Sequence, residues 1–389
     1  VIYVHVPFCK SFCTYCDFYS EVKDSFNEYA EALLSEIDRR KDEISENIAS
    51  YPEADTLYIG GGTPSVLPLN VLSEIVGKLR SERPNSHPWK EFTVEVNPED
   101  IVEKGSEYAS GLLGLGVTRV SMGIQSFDDG ILRWMNRRHD SAGAVRAYEI
   151  LRGADAERRL AHPEARPLQI SIDLIFGISQ LSNDIWNCTI DKAISLGGPK
   201  GRPDHISAYQ LSIEEGSALA ALVAQGRYSE ASEEQCRTQY DILCQKLRAA
   251  GYIHYEISNF ALPGREALHN SHYWDRTPYV GLGPGAHSFR IFQDGRQVRS
   301  WNEQKLPCGS SSTYSYTSET LTQEDIRVEE LMLGLRTRKG IEAEKLYSLA
   351  DKSVIDKLLK EGGMEVDAGR VRISEDHLFT SDEIIRELA

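Results

Sequence analysis

Six short β-rich runs, near residues 2–6, 55–59, 91–96, 118–124, 169–175 and 205–211, alternate with amphipathic helical stretches. This rhythm limits the fold more than any other feature, because repeated strand–helix units build a parallel α/β sheet or barrel. The first helix is expected to begin at Ser25, since Ser25 and Glu28 have the spacing of a capping box. Ala30, Leu33, Leu34 and Ile37 then recur at helical period.

Side chains of a strand alternate between faces. Phe92, Val94 and Val96 oppose Thr93, Glu95 and Asn97; Val120, Met122 and Ile124 oppose Ser121, Gly123 and Gln125; Ile170, Ile172 and Leu174 oppose Ser171 and Asp173. The apolar face suits a helical layer. The other face is small and polar in strand after strand, which a closed apolar barrel core would not tolerate without partners. We therefore expect a partial barrel lined for a polar ligand, held at the C-terminal ends of the strands. An antiparallel sheet with one wet face is the competing arrangement, and the intervening helices speak against it.

The loop after the first strand carries Cys9, Cys13 and Cys16 as Cys-x3-Cys-x2-Cys. Three thiolates can hold three irons of a [4Fe–4S] cluster and leave the fourth without a protein ligand. That open iron suits the amino and carboxylate groups of S-adenosylmethionine (SAM), whose one-electron cleavage gives a 5′-deoxyadenosyl radical. Structural zinc and a disulfide are the alternatives. Zinc normally takes four ligands, often as two close pairs; a disulfide framework fits poorly with an odd total of seven cysteines, and no secretory leader is expected before the first strand. Cys188, Cys236, Cys244 and Cys308 are scattered and are expected to be buried small hydrophobes.

Gly60, Gly61, Gly62 and Thr63 follow the second strand, and a glycine loop lets backbone approach a ligand closely, although glycine runs are also ordinary turns. Glu95, Arg137 and Asp173 can be read as ligand contacts or as salt-bridge formers. Asp173, between Ile172 and Leu174, needs a buried partner.

A chain of 389 residues, 41% apolar and 26% charged, can bury a large core. Its net charge of −16 argues against nucleic acid as a partner, and no apolar run approaches a membrane span; peripheral membrane contact is left open. The expectation is a cytoplasmic protein in a reducing compartment. Residues 153–167 read as a surface insertion, a helix is expected near 231–250, and 252–260 alternate as a strand. In His269-Asn270-Ser271-His272-Tyr273-Trp274, histidines beside aromatic rings offer axial ligands and flat surfaces for haem, or else a packed aromatic loop. The Ser/Thr-rich stretch 308–318 reads as a linker. Beyond Gln323 come three short helices, a hairpin around Asp367-Ala368-Gly369 and a last helix near 381–388, a winged-helix-like order. The division is thus 1–215 for the barrel, 216–307 for an α/β extension carrying the HNSHYW segment, and 308–389 for linker and C-terminal helical domain.

The segments YVHVPFCKSFCTYCDF, YIGGGTPS, VEVNPE, VSMGIQSF, SIDLIFG, YEISNFA, HNSHYW, GLGPGAHS and LFTSDEII, in this order, resemble the HemN/HemW branch of the radical SAM superfamily. The resemblance implies a radical SAM partial (β/α)6 barrel with an α/β elaboration and a small C-terminal domain. It also implies that Cys9, Cys13 and Cys16 ligate the cluster and that Tyr3, Gly61 and Glu95 touch cluster-bound SAM. Gly62, Thr63, Gln125, Arg137 and Asp173 match positions that contact a second SAM in the oxidase type, and Ser212 and His287 match further ones without keeping residue identity.

Within this branch the oxidase type decarboxylates coproporphyrinogen III, whereas the chaperone type binds haem and passes it to acceptor proteins. The oxidase type carries a further cysteine where this chain has Phe18, and a longer segment before the cysteines; the chaperone type carries HNxxYW, matched here with His269 as the haem candidate. The resemblance therefore implies haem-accepting partners and an electron donor for the cluster. No catalytic residue is assigned, and whether the chain is an enzyme stays open. Where chaperones usually read Gly-Leu-Pro-Gly-Gln-Thr after the fifth strand, this chain reads Gly177-Ile178-Ser179-Gln180-Leu181-Ser182.

Overall fold

A computed structural model describes residues 1–83, 87–198, 201–306 and 314–389. The strands are β1 (Ile2–Val6), β2 (Thr56–Gly61), β3 (Glu91–Val96), β4 (Arg119–Gln125), β5 (Gln169–Phe176), β6 (His205–Gln210), β7 (Ile253–Glu256), β8 (Asn259–Ala261), β9 (Val280–Leu282), β10 (His287–Ile291), β11 (Gln297–Asn302), β12 (Tyr316–Thr320), β13 (Ile341–Glu342), β14 (Met364–Asp367) and β15 (Arg370–Ile373). The helices are α1 (Phe26–Arg39), α2 (Lys41–Ser50), α3 (Leu69–Ser81), α4 (Pro98–Gly114), α5 (Asp129–Trp134), α6 (Ser141–Ala161) and α7 (Asn183–Ser195). They continue with α8 (Ala218–Ala224), α9 (Glu233–Ala249), α10 (Leu268–Trp274), α11 (Gln323–Leu335), α12 (Ala343–Leu349), α13 (Lys352–Glu361) and α14 (Ser381–Leu388).

One nine-stranded sheet, ordered β7-β8-β6-β5-β4-β3-β2-β1-β9, organises the molecule. β1 to β6 pair in parallel, β9 adds in parallel beside β1, and the β7–β8 hairpin closes the other edge antiparallel to β6. The expected βα rhythm is therefore present, and residues 253–282 contribute three strands to the same sheet. The apolar strand faces, Val94, Val120, Met122, Ile170 and Ile172 among them, pack under the helices in one core reaching from Ile2 to Leu282. A second, smaller core gathers Leu331, Leu346, Ile355, Val371 and Ile385 within the C-terminal module. There α11 to α13, the β14–β15 hairpin and α14 follow the expected order, with β13 added to the hairpin.

Three local expectations change. Ser25 is the N-cap of α1, but its side chain makes no capping bond. Residues 153–161 are no insertion loop: α6 runs through them to Ala161 and buries Ala154 and Asp155. Asp155 accepts from the N–H of Leu168 at 3.1 Å, tying this helix end to the entry of β5. Residues 316–318, expected in a linker, lie in β12, which pairs with β11; residues 308–313 fall outside the described residues.

Candidate functional site

The polar strand faces do converge. Thr93, Glu95, Asn97, Ser121, Gly123, Gln125, Ser171 and Asp173 all line one cavity of about 510 Å³ inside the curved sheet. Its upper wall is the cysteine loop, with Cys9, Cys13 and Cys16, and its lower end reaches Arg119, His205 and Asn270 near the N-terminal ends of the strands. Burying so many polar groups is tolerable only where they pair with one another or with a ligand.

The cysteine loop is fixed at several points. The N–H of Cys9 donates to Glu21 O at 3.0 Å, Asn136 Nδ2 donates to Phe12 O at 2.7 Å, and Thr14 is bonded through its hydroxyl to Trp134 O at 2.9 Å. Arg137 Nη1 donates to Cys13 Sγ at 3.3 Å, while Nη2 donates to Asn97 Oδ1 and to Gly123 O, both at 2.7 Å. Asn97 Nδ2 donates to Thr63 Oγ1 at 3.1 Å, and Thr63 Oγ1 lies 3.4 Å from Cys9 Sγ. One continuous polar chain thus links two of the three thiols through the ends of β2, β3 and β4. Burial raises the Cys9 thiol and pushes Cys16 up to about 11, so metal binding would have to displace their protons.

The donor set suits a cluster better than a single ion. Among the described residues no three His, Cys, Asp or Glu side chains converge on one ion, whereas zinc needs its ligands about 2.0–2.3 Å from a common centre. Three sulfurs lining one cavity, with one cation beside them and an unpaired buried Arg137 Nε, fit a thiolate-ligated cluster whose net charge with its cysteinates is negative.

The glycines beneath the loop are there for space. Gly61 has φ +111°, and a Cβ on it would sit 2.6 Å from His5 Nδ1; a Cβ on Gly62 would sit 2.7 Å from Phe8 O. Gln125 also has a positive φ, 67°, at a register shift between Gly123 and Gln125 that turns its side chain toward Gly123.

Of the four carboxylates that line the cavity, Glu95 and Asp173 come from the strands. Glu95 accepts from the Tyr58 hydroxyl at 2.6 Å and the Gly61 N–H at 3.1 Å, yet burial, with Asp173 adding like charge, raises it to about 7. Asp173 accepts from the Ser121 hydroxyl at 3.2 Å and is raised by burial to about 6. Both charge readily when a cation arrives. Tyr3 does not line the cavity in this conformation; its ring stands 6.0 Å from that of Tyr58, behind Glu95. Ser212 lines the cavity, whereas His287 lies in β10 against Trp301.

The HNSHYW segment forms α10, and the floor of the barrel holds it. Arg119 donates to Glu91 at 2.9 Å and to Ser171 at 3.0 Å, and Glu91 in turn accepts the N–H groups of Leu268 and His269 at 3.1 and 2.9 Å. His269 is fully buried. Its Nδ1 shares a hydrogen bond with Thr56 Oγ1 and its Nε2 one with the Tyr273 hydroxyl, both 2.9 Å, and burial holds its pKa well below the ordinary value. In this conformation both ring nitrogens are engaged, which fits the positioning role expected of His269 more closely than direct ligation of iron. Asn270 faces the barrel cavity, while Ser271 and Trp274 face a second cleft on the other side of α10.

Tyr58, Asn97, Arg119 and Glu91 are the site residues that motif reading assigned no role. Strand alternation already places Asn97 on the cavity side, but its partners become visible only in three dimensions. Cys236 is buried as expected, Cys188 is exposed, Cys244 is half-buried, and Cys308 lies outside the described residues. Ile178 and Leu181 are buried in the loop after β5, and Ser182 caps α7.

Residues 3–161 match the family model described as Radical SAM superfamily. The chain is 32% identical over 360 residues to the Bacillus subtilis protein named Heme chaperone HemW, covering 90% of this chain and 87% of that one. It is 29% identical over 395 residues to a Mycobacterium tuberculosis protein of the same name, covering 100% and 94%. In fold it resembles the coproporphyrinogen III oxidase HemN of Escherichia coli, with TM-score 0.72 at 20% identity over 99% of this chain and 89% of that one. A radical SAM domain is the kind that carries a [4Fe–4S] cluster and SAM. This chain, with its three-cysteine loop above a polar barrel, belongs to the HemW family of radical SAM proteins.

Proposed function

We propose that the protein is a radical SAM haem chaperone that binds haem and hands it to acceptor haemoproteins in a reducing, cytoplasmic setting. The observation that carries this reading is the placement of HNSHYW as α10, a short helix clamped to the barrel floor with one side toward the SAM-type cavity and the other toward an outer cleft. The names of its relatives support it.

In this reading Cys9, Cys13 and Cys16 hold three irons of a [4Fe–4S] cluster, which when bound supplies low-potential one-electron chemistry fed by a donor protein. Gly61 and Glu95, with Tyr3 behind Tyr58, receive the methionine end of SAM: the glycine leaves room and the carboxylate answers the ammonium. Gly62, Thr63, Gln125, Arg137 and Asp173 line the remaining cavity and orient what enters it. Arg137 ties Cys13 to β4, so the cluster loop and the cavity wall move together. His269 acts as a positioning residue, locking α10 to β2.

The test is an anaerobic assay of the reconstituted protein with coproporphyrinogen III, SAM and reductant, beside a hemin titration. Haem uptake without vinyl product supports the chaperone; vinyl product at useful turnover overturns it in favour of the oxidase.

A further inference from the structure

A second large cavity lies outside the barrel. It measures about 840 Å³ and opens between α10, β7 and the C-terminal module. That volume falls in the range of cofactor-sized ligand sites, about 300–1,000 Å³. Trp274 and Tyr255 supply aromatic wall, and Ile253 and Ile341 supply apolar wall.

Its charge runs against that of the chain. The protein has 43 basic and 59 acidic side chains. This cleft is lined by six basic side chains and four acidic ones. Four of the six cations are already neutralised: Arg276 by Glu329, Lys345 by Glu330, Arg370 by Glu342 and Arg372 by Glu365. Arg338 and Lys339, exposed at the turn between α11 and β13, have no carboxylate partner among the described residues. The turn itself is held in place, because the N–H of Arg338 donates to Tyr255 O at 2.9 Å and Arg372 Nη1 donates to Arg338 O at 3.0 Å. Two unpaired cations are thus presented from a fixed backbone at the rim of an aromatic cleft.

We propose that this outer cleft binds a flat aromatic ligand carrying paired carboxylates, the chemistry of a porphyrin with its propionates. Trp274 and Tyr255 contact the ring and Arg338 and Lys339 receive the carboxylates. The inference rests on the haem-carrying reading and gives it a location: α10 presents haem outward beside the C-terminal module, while the barrel keeps its cavity for SAM.

The experiment titrates the full chain with hemin, with iron-free protoporphyrin and with protoporphyrin dimethyl ester, comparing the parent with the Arg338→Glu, Lys339→Glu double variant. Both residues are exposed, so the variant should fold, and unchanged SAM binding confirms an intact barrel. The expected result is hemin and protoporphyrin affinity at least about fivefold weaker in the variant, with the ester bound equally by both proteins. Equal hemin affinity in the two proteins overturns the cleft while leaving haem carriage standing. Should the parent take up no hemin, haem carriage falls, and protoporphyrin decides the cleft separately: charge-sensitive binding supports it and absence of binding overturns it.

Discussion

Arg137 Nη1 donates a hydrogen bond to Cys13 Sγ at 3.3 Å, so the middle cysteine of the loop after β1 is held by a cation from the segment after α5. Its other nitrogen reaches Asn97 and Gly123, and through Thr63 the same network returns to Cys9. The loop is therefore part of the barrel rim rather than an appendage to it.

Replacing Arg137 by Gln should loosen that rim. A charged hydrogen bond in a buried site contributes about 1.5–3 kcal/mol, and two carbonyl acceptors lose their donor as well. SAM affinity of the reconstituted protein should fall roughly tenfold to a hundredfold, and its cluster absorbance should bleach faster in air. Spectrophotometry and equilibrium dialysis give both numbers.

The raised carboxylates make SAM binding depend on pH with a definite sign. Glu95, near 7, and Asp173, near 6, are neutral in the empty cavity at low pH and charged above these values. SAM brings an ammonium and a sulfonium, so its affinity should rise as pH climbs from 5 to 8, by at most about tenfold per unit for each group. Glu95→Gln should flatten the upper part of that rise. The same groups favour the folded protein at low pH: each binds its proton more tightly folded than unfolded, so stability falls as pH rises from about 4 toward 7. Thermal melts of Glu95→Gln should lose part of this slope.

Gly62→Ala places a methyl 2.7 Å from the carbonyl oxygen of Phe8, at the base of the cysteine loop. The loop must shift to accept it. We expect a loss of about 1–3 kcal/mol in chemical denaturation and a lower iron content after reconstitution.

His269→Ala removes a buried ring bonded on both sides and leaves the Thr56 and Tyr273 hydroxyls without it. Stability should drop by about 2–4 kcal/mol. If the ring positions α10 without touching iron, the haem that still binds keeps the Soret maximum of the parent. A shifted maximum would make it a ligand.

Much of this architecture can be read along the chain because strand alternation is a local property. Thr93, Glu95 and Asn97 share a face with Ser121 and Gln125 by period alone, and the cavity follows once the strands are parallel. Depth is not local. HNSHYW reads as an aromatic loop with available histidines, and only the packing of α10 on Thr56 and Glu91 buries His269. Likewise Glu157, Arg158 and Arg159 read as an insertion because the outer face of α6 is charged, while Ala154 and Asp155 on its inner face set the helix against β5. The pairing of Arg119 with Glu91 joins positions 28 apart, beyond any spacing motif.

Haem content after loading tests the central claim most directly. The anaerobically reconstituted protein is incubated with excess hemin, passed through a desalting column and assayed for haem against chain concentration. The account predicts one haem per chain retained alongside the cluster; haem that elutes free of the protein would contradict it.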